Sequence, residues 1–194
     1  MRTNQFVKTL TLYFIIQLWS GTAILASTTT TIPVKDLKSR LSTLFKSTKR
    51  PWRRVYRHST ATEYTVSYVP RQQSLSNWKQ MIQFQISPVA SFKQAPYQQT
   101  KSKNAPNTQT LLTLYQKTLK KHCKKSIWRT LHSQANHSAF EYNINHCGAW
   151  GNQYKVEKLI QRNGQFQSLR YIDRSPITEQ TKKQYSTLIT NFKW

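Results

Sequence analysis

Residues 154 to 173, YKVEKLIQRNGQFQSLRYID, constrain the fold more than any other stretch. Two runs of strand-like residues flank Asn163-Gly164, a pair that tolerates positive φ, so the segment reads as a β-hairpin. Four further runs have strand character. In EYTVSYVP, Tyr64, Val66 and Tyr68 face one way and Glu63, Thr65 and Ser67 the other, and Pro70 ends the run. MIQFQI sets Ile82, Phe84 and Ile86 against Gln83 and Gln85. SIWRTLHSQ and AFEYNINHC complete the set.

Three stretches have helical spacing instead. PVKDLKSRLSTLFKS aligns Leu37, Leu41, Leu44 and Phe45 behind Pro33. NTQTLLTLYQKTLKKHC aligns Leu112, Tyr115 and Leu119, with Asn107 or Thr108 as the N-cap. Ser175-Pro176 reads as a cap and first turn, followed by Ile177, Thr181, Tyr185, Leu188 and Phe192 along one face. The expected architecture is an α+β domain: a single antiparallel sheet of about six strands, packed helices and an N-terminal amphipathic helix. Residues 89 to 107, without glycine and rich in Gln, Lys, Pro, Ser and Asn, form a long loop and the candidate mobile segment.

The first residues follow a different logic. MRTNQFVK carries Arg2 and Lys8, TLTLYFIIQLW is apolar, and small residues follow in SGTAILAS. That order predicts a signal peptide over 1–26, cut after Ala23 or Ala26, and export to the periplasm or beyond. The apolar run is shorter than the roughly 20 residues a membrane span needs, and no later segment is apolar enough to cross. The expected division is then a basic N-terminal helix and connector over 27–60 and the α+β domain over 61–194.

Thirty Lys and Arg face six Asp and Glu, for a net charge of +24. Most cations have no partner in the chain, and such a surface attracts nucleic acid, anionic lipid or acidic glycan. The densest part is KSTKRPWRRVYRH, where Lys46, Lys49, Arg50, Arg53, Arg54 and Arg57 surround Trp52 and Tyr56. It reads either as a polyanion-binding surface, with the rings stacking on bases or sitting among headgroups, or as a solvated connector. Glu63, Glu141 and Glu157 fall on polar strand faces, where surface ion pairs are expected.

Cys123 and Cys147 are the two cysteines, and an even pair in an exported chain predicts a disulfide. HSAFEYNINHCGAWG concentrates two histidines, a carboxylate and a cysteine. As a strand, however, it puts Phe140, Tyr142, Ile144 and His146 on one face and Glu141, Asn143, Asn145 and Cys147 on the other. Glu141 and His146 then cannot act together, His137 falls in the turn before the strand, and the spacing matches no zinc pattern. His58, His122, His132, His137 and His146 could supply a ribonuclease with acid and base, but no motif positions a pair. With four glycines and no P-loop, nucleophile elbow or dinucleotide turn, no catalytic residue and no cofactor is expected. The sequence therefore favours a non-enzymatic exported domain, with a small secreted hydrolase as the alternative.

The ordered set EYTVSYVPRQQSLSNWKQMIQFQI, Cys123, FEYNINHC and VEKLIQ-NGQFQSLRYIDRSPITEQ resembles a group of uncharacterised exported proteins of Gram-negative bacteria with two spaced cysteines. The resemblance covers roughly residues 61 to 192 and leaves the basic N-terminal segment outside. It implies export, the disulfide and an α+β layout similar to PsbP/Mog1-like domains. It implies no activity.

Overall fold

A computed structural model describes residues 34–89, 107–145, 147 and 151–194. The segment 1–26 expected to be a signal peptide, most of the long loop, and His146 lie outside these residues. Helix α1 (Val34–Ser47) precedes strands β1 (Trp52–Ser59), β2 (Tyr64–Pro70) and β3 (Gln80–Pro88). Helix α2 (Thr108–His122) follows, then β4 (Ile127–Gln134), β5 (His137–Ile144), β6 (Gln153–Arg162), β7 (Gln165–Asp173) and α3 (Glu179–Thr190). The seven strands form one sheet in the order β1-β2-β3-β7-β6-β5-β4, every neighbouring pair antiparallel. The fold is α+β, with seven strands among the described residues rather than about six.

The extra strand is β1, in the segment expected to be a connector. Its outer position leaves much of it in solvent, so Arg takes positions that a central strand would give to apolar residues. A bulge between Arg54 and Tyr56 also breaks the period of two by which strands are recognised. Residues 52–59 thus sit in the same sheet as the strands after residue 60. Leu37, Leu41 and Leu44 of α1 belong to the main core, beside Val66, Ile82, Phe84, Val156, Leu169 and Tyr171 of the sheet and Tyr185, Ile189 and Phe192 near the C-terminus.

Helix α2 lies on the opposite face. Leu111 packs with Val89, Leu159 and Phe166, and Leu119 with Cys123, Ile144 and Cys147. Asn107 is its N-cap, with Oδ1 accepting from the Thr110 amide at 2.9 Å. The Cys123–Cys147 disulfide, Cα atoms 5.4 Å apart, ties the end of α2 to the segment after β5. Closing a loop of this length stabilises the fold by about 3 kcal/mol through the unfolded state. The β6–β7 hairpin turns as read, with φ of 50° at Asn163 and 70° at Gly164. Helix α3 starts later than its sequence suggests, at the N-cap Thr178. The Ser175 amide and hydroxyl instead bond the Asp173 carboxylate and hold the chain as it leaves β7.

Glu157 departs furthest from expectation. It is fully buried rather than on the surface, with Lys155 Nζ at 2.5 Å and Arg170 Nη2 at 3.2 Å. Burial alone would raise its carboxyl, but Arg170 and Lys155 more than offset this and hold it below the ordinary carboxylate range. The Lys155 ammonium lies within 6.0 Å of the ring centres of Tyr115, Phe140 and Tyr142, so aromatic faces complete the enclosure. Glu141 does pair near the surface, with Arg129 Nη2 at 2.6 Å, and accepts from the Tyr154 hydroxyl at 2.7 Å.

Candidate polyanion-binding surface

Directly paired residues on antiparallel strands share a face, so the register of β1 against β2 fixes where each cation goes. Trp52 pairs with Pro70, Arg53 with Val69 and Arg54 with Tyr68; beyond the bulge, Tyr56 pairs with Ser67 and Arg57 with Val66. Uninterrupted alternation would put Arg54 and Arg57 on opposite faces. The bulge instead brings both to the face that carries α1, beside Tyr64 and Tyr68. The Arg57 guanidinium lies 5.9 Å from the Tyr64 ring centre. Burial pushes the Tyr68 hydroxyl above the ordinary tyrosine range, with Tyr64 adding to the rise and Arg54 and Arg57 pulling it back.

The other members of the cluster have different duties. Arg50 Nη1 donates to Gln80 Oε1 at 2.6 Å, and Gln80 Nε2 donates to Asp173 Oδ2 at 2.8 Å. Tyr171 donates to the same carboxylate oxygen at 2.6 Å, so Arg50 ends a buried polar chain beneath α1. Arg53 donates through Nε and Nη2 to the Gln73 carbonyl at 3.0 and 2.6 Å, which fastens the β2–β3 connection. Trp52 is no open stacking platform: its ring stacks on Phe45 at 5.9 Å and its Nε1 donates to Thr48 Oγ1 at 2.7 Å. Lys46 in the last turn of α1 and Lys49 in the following turn are exposed. Among the described residues, no carboxylate forms an ion pair with any of the six cations.

The cluster read from sequence therefore separates into a structural set (Arg50, Trp52, Arg53) and an outward set (Lys46, Lys49, Arg54, Arg57). Tyr64 and Tyr68 join the outward set. Their shared face was legible from alternation, but the bulge that aims Arg57 at them was not. A shallow groove of about 370 Å³ lies nearby between α1 and α3, lined by Ser47, Gln180, Lys183, Gln184, Thr187 and Leu188.

In the 137–151 stretch, Phe140 and Ile144 are buried while Glu141 reaches Arg129 and Tyr154. His137 is the first residue of β5 rather than part of the turn, and its ring centre lies 4.7 Å from that of His132. His58 is on β1 and His122 ends α2, away from that pair. No protein-family model matches the chain, and no curated protein aligns with it.

Proposed function

We propose that this is an exported, non-catalytic basic domain that holds an anionic polymer or headgroup layer against the outer edge of its sheet. The observation that carries this reading is the bulge in β1: it turns Arg54 and Arg57 to one side, next to Tyr64 and Tyr68. Guanidinium pairs suit phosphate, sulfate or carboxylate ligands, and a net charge of +24 draws any of them in. Nucleic acid, anionic lipid and acidic glycan are the partner classes. The disulfide suits an oxidising compartment, and among the described residues no helix is long and apolar enough to cross a membrane. With removal of residues 1–26, these features support release into the periplasm or medium.

The alternative, a secreted hydrolase of ribonuclease type, needs two imidazoles on either side of a phosphate. The His132 and His137 rings are 4.7 Å apart, too close for a phosphate between them. Lys158 also commits its ammonium to the carbonyls of Thr190 and Phe192.

The test is the salt dependence of binding to single-stranded RNA, heparin and anionic vesicles. Replacing Arg54 and Arg57 with Gln should lower the slope of log affinity against log salt by roughly 0.7 to 0.9 for each phosphate left without its cation. Unchanged binding of all three ligands at every salt concentration would leave β1 as a solvated edge and refute the proposal.

A further inference from the structure

The second outer strand, β4, has its own bulge, and this one re-aims a histidine. Trp128 pairs with Tyr142 and Thr130 with Phe140, on the face covered by α2. Uninterrupted alternation would send His132 to that face as well. The register instead shifts between Thr130 and His132, so that His132 pairs with Ala139. Its ring consequently meets that of His137 on the side of the sheet that carries α3. The ring centres are 4.7 Å apart and the planes are tilted by 49°.

Both Nε2 atoms of the pair are buried and have no hydrogen-bond partner. An orphaned buried polar atom costs about 1–3 kcal/mol, so two of them on rings 4.7 Å apart call for a ligand that takes both lone pairs. Burial, with Lys158 and His132 adding to it, holds His137 below the ordinary imidazole range and favours the neutral form that coordinates metals. Bulges recur where a strand must redirect one side chain to a site.

We propose that His132 and His137 form a two-imidazole site for a divalent transition metal, Cu²⁺, Ni²⁺ or Zn²⁺, with solvent filling the other positions. Among the described residues no third His, Cys, Asp or Glu completes a ligand group, so the site is one of modest affinity with Cu²⁺ the tightest ion. Lys158 is the opposing charge: it pairs with Ala139 across β5 and β6, while donating to Thr190 O at 2.7 Å and Phe192 O at 2.8 Å. An anion is the weaker candidate, because two of the three Lys158 protons are already engaged.

The test is titration of the tag-free full chain with copper, nickel and zinc chlorides, followed by calorimetry and, for diamagnetic Zn²⁺, by the histidine ring signals in NMR. The expected result is one ion per chain, with the His132 and His137 signals moving before those of His58 and His122. His132→Asn and His137→Asn should each weaken binding on the order of tenfold or more. His58→Asn should leave it unchanged, and Lys158→Met should tighten it. If His137→Asn fails to fold, His132→Asn on the outer strand decides the matter. Copper binding unaltered by His132→Asn, or ring signals unmoved by millimolar Zn²⁺, would overturn the proposal.

Discussion

The two outer strands use the same device for different purposes. β1 and β4 each contain eight residues, an early Trp-Arg pair and one bulge that moves a later side chain across the sheet. On β1 the bulge gathers Arg54 and Arg57 on one face, and among the described residues no carboxylate forms an ion pair with either. On β4, Arg129 is neutralised by Glu141, Trp128 stacks on Phe140 at 4.5 Å, and the residue moved is an imidazole. Edge protection needs only a bulge and some charge. What each bulge delivers is therefore the informative part.

The largest effect expected lies between the two edges. Glu157→Ala strands two cations on the inner strands and should cost about 3–5 kcal/mol in denaturant unfolding, whereas changes at either edge should cost less. The Glu157 carboxyl is depressed in the fold, so its contribution is complete above the ordinary Glu value of about 4.3 and is lost as pH falls through the lower folded value. Glu157→Gln should flatten that acid limb; an unchanged acid limb would show that the carboxyl is not held low.

Trp52→Ala comes next. The half-buried ring loses its stack on Phe45 and its bond to Thr48, and stability should drop by about 2 kcal/mol with no change in the salt slope of polyanion binding. A changed slope would make the ring part of the binding surface and bring the β1 edge closer to the cluster first read from its sequence.

The sharpest contrast comes from moving one side chain across each edge strand while keeping every cation and histidine. Exchanging Tyr56 and Arg57 (Tyr56→Arg with Arg57→Tyr) puts the guanidinium opposite Ser67, on the face away from Arg54, so the salt slope should fall by roughly 0.7 to 0.9. Exchanging His132 and Ser133 (His132→Ser with Ser133→His) puts the imidazole opposite Ser138, on the face away from His137, so metal affinity should fall by about tenfold, or about 1.4 kcal/mol. If both exchanges leave both ligands bound as before, the bulges protect edges and nothing more. The smallest effect is Arg129→Gln, which should cost at most about 1 kcal/mol, because that side chain is 65% exposed.

How much of this was legible depended on periodicity. The hairpin at Asn163-Gly164, the Asn107 cap and the cysteine pair are local signals, and each appears in the fold. β1 was hidden because WRRVYRHS has neither a period of two nor one of 3.6 once the bulge interrupts it. The burial of Glu157 was half-hidden. A two-residue turn at 163–164 pairs Glu157 with Arg170, so the ion pair could have been counted from the hairpin. The covering of that face by α2 could not, because it depends on residues far apart in sequence. The meeting of His132 and His137 needed the register shift, which no residue type in SIWRTLHSQ announces.

The strand order carries a consequence for the timing of assembly. β7, the last of the described strands, lies between β3 and β6 and, among the described residues, is the strand that joins β1-β2-β3 to β4-β5-β6 in the sheet. A chain synthesised from its N-terminus thus carries two three-stranded halves with no seam between them until Gln165–Asp173 is free to pair. The joining pairs span much of the sequence, with Ile82 opposite Tyr171, which makes closure slow and leaves unpaired edges exposed meanwhile. A chain ending at Arg162 should therefore remain sensitive to protease throughout, while the full chain becomes resistant in one late step.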